Sequence, residues 1–205
     1  ESASASAEVI KLDIGFYADG ADSYYQAIND VLVGLAEQDP ECDWTVNYKV
    51  GQNTAAEQLQ AVEDFITAGY DVIIVIQNNV NTTSECITKC VDAGIPYFGA
   101  GHNFVSAPNS KDAAGSSCYN FIDEGYYCGD FAYKAGASKL IMIEGQLGQG
   151  SASDQTLGYL QAYEDGGANM GGVTAEQLAT EKDGAQQDGT QEISVVGWAS
   201  GGWFA

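Results

Sequence analysis

Amide, carboxylate and aromatic side chains follow the ends of several predicted strands in this 205-residue sequence. Amides and carboxylates hydrogen-bond hydroxyl groups, and aromatic rings stack on the apolar faces of sugars. Because ligands of parallel sheets sit beyond the carboxyl ends of the strands, these positions are candidate binding residues. In chain order they are Asp22, Tyr24, Tyr25, Asn78, His102, Asn103, Gln146, Gln155 and Trp203. The set predicts a site for a small, neutral, polyhydroxylated ligand.

A purely structural role is the alternative for several of these residues. Tyr24 and Tyr25 could belong to the first turn of a helix that packs on the sheet, and His102 could be a loop histidine that contacts no ligand. Trp203 has a less obvious structural use, because it follows two glycines at the end of a predicted strand. Both roles stay open for the tyrosines and the histidine.

Motifs for catalysis and metal binding are missing from the sequence. It contains no GxSxG nucleophile elbow, no GxxxxGK[ST] phosphate loop and no HExxH zinc motif. The glycine-rich stretch at residues 145–150 follows a predicted strand, but its spacing does not fit the dinucleotide-binding fingerprint. With one histidine and no zinc or redox spacing among the cysteines, we expect a non-enzymatic protein without a metal or cofactor.

Five cysteines bear on the compartment in which the protein works. Cys86 and Cys90 are four residues apart on a predicted helix, where a mutual disulfide is geometrically awkward. Cys118 and Cys128 form the more plausible bridge, and such a bridge would indicate an oxidising compartment. The alternative is that the cysteines are buried free thiols.

The charge balance excludes some classes of partner. There are 29 acidic residues and 7 basic ones, all of them lysine, which gives a formal net charge of -22. Nucleic acid is excluded as a partner, because its phosphates must be neutralised by lysine and arginine. Without arginine, no bidentate guanidinium clamp on a carboxylate or phosphate can form, so highly anionic ligands are disfavoured.

Strands and helices alternate over the first half of the chain. Short apolar runs are separated by longer segments with helical periodicity, the pattern of βαβ units around a parallel sheet. The unbroken aliphatic run at residues 71–77 is typical of a strand covered on both faces, so we place it at the centre of the sheet. The four predicted strands cover residues 11–17, 44–50, 71–77 and 96–100.

A second series of elements is predicted after the polar stretch at residues 106–114. It has strands near 116–119, 139–143 and 193–198, and helices at 123–135 and 152–165. The Gly- and Gln-rich segment 166–191 is too long for an ordinary connection, and we expect a surface excursion that is helical near 175–179. No helix follows the last strand, so this second lobe is expected to be incomplete.

Several strings of the sequence resemble one family when their order and spacing are taken together. Asp22-Ser23-Tyr24-Tyr25 opens the first helix, residues 58–64 read QLQAVED, and residues 93–96 read AGIP. Residues 148–159 and the closing Ala199-Ser200-Gly201-Gly202-Trp203 complete the set. From Ile10 onward the chain resembles the sugar-binding branch of the type I periplasmic-binding proteins, the group that contains ribose and galactose receptors.

The resemblance implies two Rossmann-like, doubly wound α/β lobes that close over a ligand, with a hinge near residues 101–105. The corresponding domains are a flexible leader at 1–8, an N-terminal lobe at 9–103 and a partial C-terminal lobe at 104–205. Asp22 looks like the residue that binds sugar hydroxyls, Tyr24 and Tyr25 like the aromatic pair of the first lobe, and Trp203 like the ring of the second. Family sugar receptors often carry an Asp-Arg pair where Gly101 and His102 stand, and an arginine where Gln155 stands.

The function implied by the resemblance is that of a solute-binding receptor that takes a small polar ligand, a sugar first of all, for transport or sensing. Such a receptor is extracytoplasmic, delivers its ligand to an ABC-transporter permease, and can be tethered to a membrane through a leader such as ESASASAE. Two alternatives stay open. One is a receptor for a nucleoside or an amino-acid-like ligand, and the other is an extracellular structural module with a vestigial cleft.

Overall fold

The computed structural model of the protein describes residues 9–145 and 147–201. They divide into two units, the first ending at Cys118 and the second beginning at Tyr119. The predicted lobes, 9–103 and 104–205, differ from these units chiefly in the placement of one short strand near residue 116.

Five parallel strands form the sheet of the first unit, in the order β2-β1-β3-β4-β5. The prediction that the aliphatic strand lies at the centre is confirmed, because β3 has two strands on either side. The elements are β1 (Ile10–Ala18), α1 (Ser23–Gln38), β2 (Cys42–Val50), α2 (Ala55–Ala68), β3 (Val72–Ile76), α3 (Val80–Ala93), β4 (Tyr97–Gly101) and β5 (Gly115–Cys118).

Short polar residues start the three helices of this unit, each directly after a strand-end turn. The side chains of Asp22, Thr54 and Asn79 accept hydrogen bonds from backbone amides of the first turns of α1, α2 and α3. Gly69 and Gly94 end α2 and α3 in the left-handed conformation, which glycine adopts without steric cost. These caps place the helix N-termini at the carboxyl edge of the sheet.

The sheet of the first unit is buried on both faces. One core cluster contains Tyr17, Phe65 and Ile73 and is covered by α2 and α3, and the other contains Phe16 and Tyr25 and is covered by α1. Burial on both faces explains why β3 reads as a continuous aliphatic run rather than an alternating one. The predicted doubly wound α/β fold is therefore confirmed.

β5 lies in the first sheet, although the sequence analysis counts it as the first strand of the second series. It pairs in parallel with β4, with Phe98 opposite Gly115 and Gly101 opposite Cys118. The strand has the sequence Gly-Ser-Ser-Cys, which carries no apolar pattern that could indicate which sheet it joins.

The second unit contains the helices α4 (Phe121–Lys134), α5 (Gly150–Asp165) and α6 (Ala175–Glu181). Its two strands, β6 (Lys139–Glu144) and β7 (Ser194–Ser200), form a parallel sheet. The predicted helix near residues 175–179 is present as α6, which begins with a capping box between Thr174 and Gln177. The core of the unit contains Leu140, Leu160, Tyr163 and Leu178.

Three glycines allow α4 and α5 to approach closely. A Cβ atom on Gly125 or Gly129 of α4 would overlap the backbone carbonyl of Gln155 or Tyr159 on α5, and one on Gly158 would overlap the carbonyl of Ile122. Glycine is required at these positions because any side chain would separate the two helices.

The predicted disulfide between Cys118 and Cys128 is wrong. No bond links the two residues, and both side chains are exposed. The prediction placed both cysteines in one series of elements, whereas Cys118 ends β5 of the first unit and Cys128 lies within α4 of the second. Cys86 and Cys90 are buried free thiols on α3, and burial raises their pKa values to about 11 and about 12.

Candidate functional site

Polar residues from α1 and from the loops after β1, β2, β3 and β4 meet at the carboxyl edge of the first sheet. We call Asp19, Tyr25, Asn53, Asn78 and His102 the strand-end cluster. The backbone amide of Asn53 donates to the carbonyl of Asp19, and Asn78 Nδ2 donates to Asn53 Oδ1 at 2.6 Å. Asp19 immediately follows β1, Asn78 follows β3 and His102 follows β4. This is the edge at which open parallel sheets hold their ligands.

Tyr25 and His102 form one side of the cluster. The Tyr25 hydroxyl and His102 Nε2 are 2.8 Å apart, and the two rings meet edge to face. Burial lowers the pKa of His102 to about 4 and raises that of Tyr25 well above its ordinary value. Both groups are therefore neutral between about pH 5 and pH 8. They offer hydrogen bonds without charge.

Asp19 is the most unusual member of the cluster. Its side chain is only 1% exposed, yet neither carboxylate oxygen makes a hydrogen bond of normal geometry with the described residues. Burial raises the pKa of Asp19 to about 7, and the neighbouring Tyr25 hydroxyl only partly opposes that rise. A carboxyl group in this state can either donate or accept a hydrogen bond near neutral pH.

Asn78 is held in place by a buried amide of α2. Its backbone amide donates to Gln58 Oε1 at 2.5 Å, and Gln58 is fully buried. In the same loop, Gln77 Nε2 donates to the carbonyl oxygen of Asn103 at 2.6 Å. These bonds fix the loops after β3 and β4 against each other.

Three further residues named by the sequence analysis lie around the cluster. Asp22 caps α1 by accepting from the amide of Tyr24 at 2.7 Å, and the ring of Tyr24 is 40% exposed beside Tyr25. Asn103 Oδ1 accepts from the amide of Val105 at 2.8 Å. A ligand-binding role for these residues stays a prediction, and Asp22 in addition has a structural one.

The sequence analysis did not select Asn53 and Gln58. Gln58 could have been found, because it precedes Val62 and Phe65 at helical spacing and thus puts an amide on the buried face of α2. Asn53 has φ 60°, a left-handed conformation that asparagine tolerates better than most residues. Tyr24, Tyr25 and Asn78 were identified from their positions at strand ends, and the two tyrosines also from the family resemblance.

The second unit has a pocket of its own, with a volume of about 390 Å³, lined among others by Glu124, Cys128, Glu144, Gln155, Thr156 and Tyr159. Gln155 Nε2 donates to Glu124 Oε2 at 3.1 Å. Glu144 accepts from Thr156 Oγ1 at 2.9 Å and pairs with Lys182, so its carboxylate is satisfied within the unit. Gln146 and Trp203, the other two predicted binding residues, lie outside the described residues.

Neither a metal cluster nor a membrane span is found in residues 9–145 and 147–201. No three His, Cys, Asp or Glu side chains in these ranges are grouped so that they could hold a metal ion. Over the same part of the chain, no helix has the length and apolar character needed to cross a membrane.

Parallel strands covered by helices on both faces, with polar groups gathered at their carboxyl ends, define a doubly wound α/β protein with a polar strand-end cluster. The chain belongs to the periplasmic-binding-protein-domain family, whose model matches residues 14–196. No curated protein sequence matches it.

Solved structures with the same fold include sugar and polyol receptors. A galactofuranose-binding protein is 20% identical with a TM-score of 0.70, and the match covers 93% of this chain and 56% of that one. The fructose-binding periplasmic domain of a hybrid two-component system is 16% identical with a TM-score of 0.73, covering 94% of this chain and 55% of that one. An ABC-transporter solute-binding protein from Bacillus halodurans with bound myo-inositol is 20% identical with a TM-score of 0.68, covering 95% and 58%. The chain thus spans little more than half the length of these structures.

Proposed function

We propose that the protein is a non-enzymatic solute-binding receptor for a small polyhydroxylated ligand, a sugar or sugar derivative, and that the strand-end cluster contributes to its binding site. The observation that carries this proposal is the convergence of amide, hydroxyl, imidazole and carboxyl groups at one sheet edge, with Tyr25 and His102 both neutral. Such groups bind hydroxyls without needing a charged ligand.

The similar proteins support the ligand class. Their solved structures contain or are named for galactofuranose, fructose and myo-inositol, all of them small polyhydroxylated molecules. By the same likeness, we propose an extracytoplasmic location and delivery of the ligand to an ABC-transporter permease, with the leader at residues 1–8 as a possible tether.

A ligand screen on the full-length protein tests the proposal. Hexoses, pentoses, furanose-rich sugars and polyols are added singly, and the melting temperature and heat of binding are measured. A true ligand raises the melting temperature in proportion to the logarithm of its concentration. Nucleosides and free amino acids form a second arm, and binding of these in place of every carbohydrate would replace the sugar with that class.

Single substitutions test whether the strand-end cluster takes part in ligand binding. Asn78→Ala removes an amide from the proposed site, and its matched control is Gln26→Ala, which truncates an exposed amide on α1. We expect Asn78→Ala to weaken binding about 10-fold and Gln26→Ala to leave it unchanged. Equal affinity for both variants would exclude Asn78 from the site.

A further inference from the structure

We infer that the ligand carries a positively charged amine, as an aminated sugar does, and that Asp19 pairs with this ammonium group. The inference rests on the proposed function and narrows its ligand class. It starts from the environment of one side chain, the buried carboxylate at the end of β1.

The carboxylate of Asp19 lacks the partners that a buried acid normally has. It is 1% exposed, follows β1, the neighbour of the central strand β3, and accepts no hydrogen bond of normal geometry from the described residues. Burying a charged or polar group without a partner costs several kcal/mol in order of magnitude. The carboxylate lies beside the Tyr25 hydroxyl, which contacts His102, so Asp19 belongs to the same group of polar side chains.

No lysine in the described residues of the first unit forms an ion pair with Asp19. Three lysines pair with exposed acids at the surface, in the pairs Lys11–Asp43, Lys49–Asp64 and Lys89–Glu63, and the fourth, Lys111, lies in a short 3₁₀ turn. The sequence has no arginine. Burial is the main cause of the raised pKa of Asp19, and no lysine lowers that pKa. We therefore assign the positive charge to the ligand.

The groups around Asp19 favour a cation and disfavour an anion. Asp22 lies on the adjoining helix α1 and raises the negative potential at Asp19, and Glu57 of α2 acts in the same sense on Tyr17. Tyr17, Tyr25 and His102, which titrate outside the neutral range, carry no charge near pH 7. An ammonium group carries three donors and no acceptor, which matches a carboxylate whose two oxygens accept no hydrogen bond of normal geometry from the described residues.

A metal ion suits the site less well than an ammonium group. In the described part of the chain no third acidic, histidine or cysteine ligand is grouped with Asp19 in metal-binding geometry. Hard cations require six or more oxygen ligands, whereas one carboxylate suffices for an ammonium group. The remaining amides and hydroxyls of the cluster are then available for sugar hydroxyls.

Calorimetry on the full-length protein tests this inference. The probes are 2-amino-2-deoxyhexoses, the parent hexoses and the N-acetylated amino sugars, which lack the charge. We expect the amino sugars to bind at least about 10-fold more tightly than either neutral set. At pH 7, pairing with the ammonium group should release about half a proton per ligand, since the pKa of Asp19 lies near 7. The release is measured by comparing buffers with different heats of ionisation.

The pH dependence isolates the carboxyl group. Between about pH 5.5 and pH 7 the ionised fraction of a group with a pKa of about 7 rises about 15-fold, and the affinity for an amino sugar should rise with it. The pKa of His102, about 4, lies below this window, and the tyrosines titrate above it. A flat affinity profile over this range would overturn the inference.

Asp19→Asn removes the charge and keeps the shape. The variant should lose the preference for amino sugars, the proton release and the pH dependence together, while the control Asp92→Asn, at an exposed position of α3, keeps all three. Circular dichroism and melting confirm that both variants fold. If neutral hexoses bind Asp19→Asn and the wild type equally well and amino sugars bind no better, the inference fails and the proposed function stands. If no probe of either kind binds, the inference fails, and the proposed function is decided by the pentoses, furanose-rich sugars and polyols of the ligand screen.

Discussion

The hydroxyl oxygen of Tyr25 lies 2.8 Å from Nε2 of His102, and this bond joins the first turn of α1 to the end of β4. Its members are 77 residues apart in the sequence, and both are largely buried. The bond holds an aromatic ring, an imidazole and, through Tyr25, the carboxyl group of Asp19 in one small region. Four predictions follow from this region and from the second unit.

Removal of the tyrosine hydroxyl should cost stability. Tyr25→Phe deprives a buried imidazole nitrogen of this partner, so we expect the free energy of unfolding in urea to fall by about 1–3 kcal/mol. Tyr127→Phe is the matched control, because Tyr127 is 74% exposed and should tolerate the change within about 0.5 kcal/mol. Equal stability of the two variants would show that the bond to His102 contributes nothing.

The ligand-free protein should become less stable as the pH rises from about 4 to about 7. The folded pKa of Asp19, about 7, exceeds the ordinary value of 3.8, so the folded state keeps a proton that the unfolded state has lost. Stability from this group is complete below pH 4 and is lost as the pH rises towards 7, by an amount on the order of 4 kcal/mol at most.

Asp19→Asn separates this effect from the other acids of the chain. The difference between the urea-unfolding curves of variant and wild type should grow in favour of the variant between pH 4 and pH 7 and then level off. A constant difference across this range would mean that the pKa of Asp19 is not raised.

Close packing of α4 on α5 should make Gly129 intolerant of any side chain. The added methyl group of Gly129→Ala meets the backbone carbonyl of Tyr159, so we expect a loss of about 3 kcal/mol or more in chemical unfolding. Gly34→Ala in α1 is the control, since its nearest neighbour is the flexible end of Gln38 at 3.9 Å. That change should stabilise the protein by up to about 1 kcal/mol.

The ion pair between Lys182 and Glu144 should stabilise the packing of the 166–191 segment against β6. Its ammonium group pairs with Glu144, whose side chain is only 6% exposed, and lies 5.6 Å from the centre of the Trp198 ring. Lys182→Met should therefore raise amide hydrogen exchange in this segment several-fold, because a buried carboxylate loses its partner. Lys134→Met, which breaks an exposed pair with Asp130, should leave the exchange unchanged.

The sequence predicts the first sheet better than the second unit. β3 and its neighbours carry long apolar runs, and Gly69 and Gly94 mark the helix ends, so local chemistry and fold agree. β5 has four small or polar residues, and only its pairing with β4 indicates which sheet it joins. No local sequence pattern shows whether β5 joins the first sheet or the second.

The candidate site is predictable in its positions and less so in its contacts. Strand ends identify Tyr25, Asn78 and His102 without a structure, because the carboxyl edge of a parallel sheet is fixed by topology. That Asp19 is deeply buried and lacks a partner depends on the packing of α1 against β1 and cannot be read from its neighbours in the sequence. The disulfide prediction failed for a related reason, since cysteine spacing does not reveal the unit to which each belongs.

The glycine contacts between α4 and α5 also determine how the pocket of the second unit can evolve. The carbonyl of Gln155 lies directly against Gly125, so this candidate binding residue is located by the backbone of another helix and not by interlocking side chains. Substitutions over the exposed face of α4, such as at Tyr127 or Phe131, leave that geometry intact. The exposed surface of α4 can therefore change freely while the polar wall of the pocket keeps its position, and a single methyl group at Gly125 is enough to displace that wall.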